Sequence, residues 1–296
     1  MSNSVRVIAT GGTIACTTNA AGARVPTLTA ADLIAAAGRN VAGTDPVSLD
    51  SSSMTLADID TLIGLLLADA SPTVITHGTD SLAETALAID LILEGERTVV
   101  LTGAQLPSDH PQADGPANLR GAIDAAADAA NRGRGVLVHF GGVTLPAWGL
   151  CKSSTTSLRP FTLTTDAPAP RPAPVTYSPL AAVRVPIVRA WAGADGDLVD
   201  YVVSSRADGI VVEALGSGNV STAMGDAIGR AVSRGTPVVI ATSVPHGGVE
   251  FAYGGAGGGA TLGEVGAIPA GVLSPGQARI ALATAIAGGH DPRSLF

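Results

Sequence analysis

Two glycine turns in this chain each present a threonine just after a run of β-branched and aliphatic residues. They are Val5-Arg-Val-Ile-Ala-Thr-Gly-Gly-Thr-Ile-Ala15 and Thr73-Val-Ile-Thr-His-Gly-Thr-Asp-Ser-Leu82. Glycine lets the backbone turn tightly and approach a ligand. A threonine placed there can act as a nucleophile, provided a neighbour accepts its proton. The competing reading of Thr13 is a turn threonine bonded to its own backbone. For Asp80, which follows Thr79, the choice lies between a helix cap and a partner for a substrate ammonium. Lys152 stands in the otherwise uncharged polar stretch Trp148–Thr156. A lone lysine is ordinarily a solvated surface residue, whereas one buried among hydroxyls can serve as a base.

These side chains need elements to hold them. A short β-branched run closed by glycine reads as an interior strand of a parallel sheet, and ligands collect past the carboxyl ends of such strands. Thr13, Thr79 and Asp80 are therefore expected to share one crevice. Residues 5–9, 47–49, 73–76, 99–102 and 135–140 read as strands. Thr29 to Asp32 resembles a capped helix start, and Thr55 opens a helix with Leu56, Ile59, Leu62, Ile63, Leu66 and Leu67 on one stripe. Helices over 81–93 and 117–130 complete an alternation that implies right-handed crossovers.

The alternation breaks at Asp166–Val175, a proline-rich run with no apolar period that reads as an extended linker. Strands at 186–191, 209–213 and 237–241 and a helix at 220–233 follow on a smaller scale. Ser274-Pro-Gly-Gln277 is a capping-box start with proline at the first helical position, opening a last helix through Ala287. The expected fold class is α/β. A larger N-terminal parallel-sheet domain (1–167) joins a smaller C-terminal α/β domain (185–296) through a Pro-rich linker (168–184).

Composition narrows the function. The chain has 296 residues with 25 acidic and 17 basic side chains, a formal charge of -8. No basic cluster offsets it, so nucleic acid and anionic membranes are not expected partners. Five scattered histidines and two distant cysteines show no metal-ligand spacing. Gly254–Gly259 lacks the Lys-Ser/Thr of a phosphate loop, and Gly216–Ser221 lacks the third glycine of a dinucleotide turn. No cofactor is expected. The start of the chain carries no basic segment followed by a long apolar one, so no signal peptide is read. Cys16 and Cys151 suit a reducing compartment, and a cytoplasmic location is the default.

Taken in order along the chain, these segments resemble the bacterial-type L-asparaginase family, which includes the glutaminase-asparaginases. Ala9–Ala15 is similar to the family's first threonine motif, and Thr76–Asp80 with Glu84-Thr85 to its second. Thr102–Ser108 and Asp114–Leu119 resemble the loops flanking the substrate. Lys152 occupies the place of the family lysine, and Gly216–Asn219 resembles a C-domain turn that completes a neighbour's site.

The resemblance implies hydrolysis of L-asparagine through an acyl-enzyme, with Thr13 as nucleophile and Thr79, Lys152 and Asp80 as a hydroxyl–lysine–carboxylate group. It places substrate contacts at Ser51, Ser52, Gly78, Thr79, Asp80, Ala104 and Asn219. Ser52 stands where the family commonly has glutamine. The lid, Cys16–Leu28, lacks the usual tyrosine, for which Tyr253 is a remote candidate. Glu250 is the candidate for the acidic residue that a neighbouring subunit supplies. The resemblance further implies a homo-oligomer, a tetramer built as a dimer of dimers. Two other readings stay open. One is the ammonia-generating subunit of a tRNA-dependent amidotransferase, which carries an extra N-terminal domain. The other is an amino-acid-binding module without turnover.

Overall fold

A computed structural model describes residues 5–296. The chain divides into two compact units, Met1–Thr162 and Leu163–Phe296. In the first unit a six-stranded sheet runs in the order β4-β1-β5-β6-β7-β8. Its strands are β1 (Arg6–Ala9), β4 (Ala42–Thr44), β5 (Thr73–Thr76), β6 (Val99–Thr102), β7 (Val136–Phe140) and β8 (Val143–Pro146). All pairings are parallel except β7 with β8, a hairpin in which Phe140 faces Val143.

Parallel strands covered on both faces favour apolar side chains at successive positions. The inner strands supply them. Val7, Val74, Val100 and Leu137 pack with the helices α1 (Ala30–Ala36) and α4 (Gly115–Ala127), while Ile8, Ile75 and Leu101 are equally buried. The register sets Ile8 beside Ile75 and Ile75 beside Leu101, so β1, β5 and β6 end side by side. Their glycine turns therefore emerge at one edge of the sheet.

Capping fixes the helix starts. Thr29 and Asp32 form a reciprocal capping box on α1, and Thr55 with Asp58 does the same on α2 (Leu56–Ala68). On α2 the buried stripe is Ile59, Leu62, Ile63 and Leu66, whereas Leu67 is exposed. The stripe thus ends one residue earlier than its pattern suggests. The helix α3 (Leu82–Asp90) follows the second threonine turn.

One strand lies elsewhere than expected. The partner of β1 on its outer side is Ala42–Thr44, in the register Ile8 to Thr44, and Leu49 makes only an isolated bridge to Gly11. Ala-Gly-Thr carries no apolar alternation, so hydropathy misses it. Its central glycine has a steric reason, since a Cβ on Gly43 would lie 2.6 Å from Ile34 Cδ1. Two small strand pairs are also invisible to periodicity: the hairpin of β2 (Cys16–Thr18) with β3 (Arg24–Pro26), and β9 (Leu150–Lys152) with β10 (Phe161–Leu163).

No helix or strand falls between β10 and the second unit's first strand, a stretch that includes the proline-rich run. The second unit holds a four-stranded parallel sheet in sequence order: β11 (Ile187–Arg189), β12 (Ile210–Ala214), β13 (Val238–Thr242) and β14 (Ile268–Pro269). Helices α5 (Asp197–Ser204), α6 (Thr222–Ser233), α7 (Gly259–Glu264) and α8 (Pro275–Ala287) accompany it. Ser221 and Ser274 cap α6 and α8 through the N–H groups of Met224 and Gln277. The α/β class, with a larger and a smaller parallel-sheet domain, is what the alternation of patterns predicts.

Candidate active site

Gly12 decides where the first threonine turn sits. Its backbone lies at φ 75°, ψ -179°, a conformation natural to glycine and costly for other residues. A Cβ there would stand 2.5 Å from both N and Cα of Gly78, so the two glycine turns touch backbone to backbone. Gly78 lies in turn on Ser51, whose Oγ would be 2.5 Å from an added Cβ. A third turn joins the stack, because a Cβ on Gly103 would meet the His77 carbonyl at 2.4 Å. Small residues here are a packing requirement.

Thr13 opens a single 3-10 turn, Thr13–Ala15, directly after that contact. It is half-buried, and its hydroxyl has no hydrogen-bond partner among the described residues. The turn threonine bonded to its own backbone is thus absent from the geometry. The Cys16 thiol closes the turn by donating to the Gly12 carbonyl at 3.3 Å, and burial pushes that thiol's pKa up.

Thr79 is held differently. Lys152 Nζ, at the end of β9, donates to Thr79 Oγ1 at 2.8 Å and to Asp80 Oδ1 at 2.8 Å. The Lys152 side chain retains 24% exposure and that of Asp80 63%, so the pair is a partly solvated arrangement and not a sealed one. An ion pair so exposed adds little to stability. Its effect is to aim the amine at the hydroxyl. Ser51 fixes the other side of the turn: its Oγ accepts from the Asp80 N–H at 3.1 Å, and its carbonyl accepts from Ser81 Oγ at 2.7 Å.

Two anchors stiffen this edge. Asp114 accepts from the N–H groups of Gln105 and Leu106 and from Asn118 Nδ2, which also donates to the Gly103 carbonyl at 3.0 Å. Ala104 is buried within that loop. His77 is fully buried, with Nδ1 2.7 Å from the Gly78 carbonyl. A carbonyl only accepts, so Nδ1 carries the proton. Nε2 has no partner among the described residues, and desolvation lowers the His77 pKa to about 4. The imidazole is a neutral strut under the second turn.

An open cleft of about 550 Å³ lies over the pair, lined by Asp80, Lys152, Ser153, Ser154 and Thr155. Sequence reasoning does not single out the last three hydroxyl residues individually. Their signal is present, since they continue the uncharged polar stretch that contains Lys152.

The structure therefore brings Ser51, Thr79, Asp80 and Lys152 together by hydrogen bonds, and the Thr13 turn to the Thr79 turn through Gly12 and Gly78. Ser52 is exposed beside Ser51. In the second unit, Asn219 Oδ1 accepts from the Gly259 N–H at the start of α7, at 3.2 Å, and its backbone bridges Leu215. Glu250 and Tyr253 are exposed in the loop before α7. Both cysteines are free thiols. Among the described residues, no cluster of His, Cys, Asp and Glu is placed to hold a metal ion, and no helix is long and apolar enough to cross a membrane.

Comparison with known proteins agrees with this geometry. Residues 4–172 match the family described as Asparaginase, N-terminal, and residues 184–295 the Glutaminase/Asparaginase C-terminal domain. The chain is 36% identical over 218 residues to a probable L-asparaginase of Deinococcus radiodurans, covering 67% of this chain and 66% of that one. It is 30% identical over 225 residues to L-asparaginase 2 of Escherichia coli, covering 68% and 62%. The matched segments thus span just under two thirds of these curated relatives. The crystal structure of a probable cytoplasmic L-asparaginase from Campylobacter jejuni superposes with a TM-score of 0.87 at 25% identity, over 99% of this chain and 97% of that one. With both halves of the chain matched and the glycine-turn cluster in place, the chain belongs to the asparaginase family.

Proposed function

We propose that this protein is an L-asparaginase, hydrolysing the side-chain amide of L-asparagine to L-aspartate and ammonia without a cofactor. The observation that carries this reading is the Lys152 amine, 2.8 Å from the Thr79 hydroxyl and 2.8 Å from the Asp80 carboxylate, on a turn in backbone contact with the Thr13 turn. A free hydroxyl beside a hydroxyl–amine pair is what acyl transfer requires.

In this mechanism Thr13 Oγ1 attacks the amide carbon, and its proton passes toward the Thr79–Lys152 pair. The tetrahedral intermediate collapses as the C–N bond breaks, and the nitrogen leaves as ammonia after taking up that proton. Water attacks the resulting β-acyl ester beside Thr79, releasing aspartate and restoring the Thr13 hydroxyl. For the amine to accept a proton it must be neutral at that moment. N–H groups of the glycine turns, including that of Thr79, stabilise the oxyanion, where losing one donor typically costs about 3 kcal/mol of barrier.

Substrate orientation follows from the remaining bonding capacity. Asp80 can take the α-ammonium on the carboxylate oxygen that Lys152 leaves free. The Ser51 hydroxyl accepts from the Asp80 N–H, so its own proton can go to the α-carboxylate. The same reading makes the enzyme a homo-oligomer, more readily a tetramer than a dimer, with Asn219 contributed from a partner subunit. It also places the enzyme in the cytoplasm, where two free thiols are stable. Ammonia release measured with asparagine and glutamine side by side tests the activity. We expect asparagine to be the preferred substrate, and no release from either amide would refute the reading.

A further inference from the structure

A second cavity in the first unit shares no lining residue with the cleft over Thr79, Asp80 and Lys152, and is bordered by the chain just after Thr13. It has a volume of about 290 Å³. Its walls come from three places: Ile14 and Leu28, which flank the β2–β3 hairpin; Leu33 and Ala36 on α1; and Pro116 and Leu119 on α4. An apolar cavity of about 150 Å³ suffices to hold benzene, and ligand pockets begin near about 300 Å³. The space therefore suits a compact ring system, not a single solvent molecule.

Its polar edge is specific. Thr17, Ser108, Asp109 and Gly115 at the start of α4 complete the lining, which contains no Lys, Arg or His. The Ser108 hydroxyl is already committed, donating to the Cys16 carbonyl at 2.6 Å. Asp109 Oδ2 accepts from the Thr18 N–H at 2.7 Å, and Oδ1 has only a 3.4 Å contact with Thr18 Oγ1. A carboxylate offers about four lone-pair directions, so this exposed one can accept further N–H donors. The Thr18 N–H also holds its carboxyl below the usual range, keeping it anionic at neutral pH. Asp109 is the one charged side chain in the lining, with His110 beside it in sequence but outside the lining, and such an anion favours an ammonium over a carboxylate.

We propose that this cavity is a second small-molecule site, taking a primary amine on a compact aromatic or branched apolar body, with the ring between α1 and α4 and the ammonium at Asp109. A zwitterionic amino acid is selected against, because its carboxylate would meet Asp109 with no counter-charge in the lining. The proposal does not depend on the reaction assigned above.

The test is isothermal titration of the full-length protein with tryptamine, indole and 3-indolepropionate. Tryptamine is expected to bind most tightly and 3-indolepropionate most weakly. Ala36→Phe, at an exposed position of α1, fills the mouth and should weaken tryptamine at least 10-fold. Asp109→Asn keeps an acceptor for the Thr18 N–H but removes the charge, and should bring tryptamine to the affinity of indole. Saturating L-aspartate and Thr13→Ala should leave tryptamine binding unchanged. Absence of binding at millimolar tryptamine, unchanged affinity in both cavity variants, or displacement by L-aspartate would each overturn the proposal.

Discussion

The two threonine turns grow from adjacent parallel strands, with Ile8 beside Ile75, yet they hold their hydroxyls in opposite ways. Thr79 is buried and bonded to Lys152. Thr13 is half-buried and has no side-chain partner among the described residues, although its backbone is locked by Gly12 against Gly78. In the proposed mechanism the hydroxyl gripped by an amine passes protons, and the free one on its rigid turn attacks. The difference arises from the chain just beyond each glycine: a 3-10 turn leading into a hairpin after Gly12, and Asp80 with the start of α3 after Gly78.

The most severe way to break this comparison is to remove the free hydroxyl. Thr13→Ala should lower kcat by about 10⁴-fold or more, with unchanged thermal stability, since no bond is lost. Steady-state kinetics alongside calorimetry checks this, and activity above a few per cent of wild type would take Thr13 out of the attacking role. Removing the gripped pair comes next. Lys152→Met and Thr79→Ala should each cost about 10²–10⁴-fold in kcat. The double variant should be little worse than the poorer single one, because the two act as a unit. Additive losses would show that they work separately.

The backbone contact can be sharpened by adding one methyl group. Gly12→Ala combines a positive φ with a Cβ 2.5 Å from Gly78, whereas Gly22 has φ 80° with nothing within 4 Å. Urea unfolding should show a loss of about 3 kcal/mol or more at Gly12 and about 1 kcal/mol at Gly22. Equal losses would deny the packing of the two turns.

His77 gives the comparison a pH dependence. Its folded pKa is about 4 against an ordinary 6.5, so between those values the unfolded chain binds a proton that the folded one refuses. Stability therefore falls as pH drops from 6.5 toward 4, by at most about 3 kcal/mol from this group. Urea midpoints of wild type and His77→Gln across that range isolate the contribution. Parallel pH profiles would assign the acid loss to carboxylates. The smallest effect belongs to Asp80→Asn, expected to raise KM for asparagine about 10-fold through a lost charge-assisted bond. A ligand without the α-amino group should lose nothing, and equal weakening of both would make Asp80 a structural residue.

Much of this arrangement is legible in the chain itself, and for identifiable reasons. The runs at 5–9, 73–76 and 99–102 carry adjacent apolar residues, Val7-Ile8-Ala9, Val74-Ile75 and Val99-Val100-Leu101, as doubly covered strands do, and glycine follows closely after each. Ala42–Thr44 escapes because an edge strand of small residues has no hydropathy signature, its sequence answering instead to the side chain of Ile34. The Gly12–Gly78 contact escapes for a related reason: each motif signals a local turn, and nothing local says that the turns touch. The hydroxyls after Lys152 and the anchoring by Asp114 are likewise products of register and loop closure, to which composition is blind.

In the proposed mechanism Thr13 carries the acyl group while the Thr79 pair handles protons. Rapid denaturing quench of Thr79→Ala turning over asparagine, followed by peptide mapping by mass spectrometry, tests this directly. Loss of Thr79 slows both acylation and deacylation, and whichever is slowed more, the aspartyl ester trapped at the quench should lie on the peptide containing Thr13 and be absent from a Thr13→Ala control. An ester located on any other residue, or an undiminished adduct in that control, would contradict it.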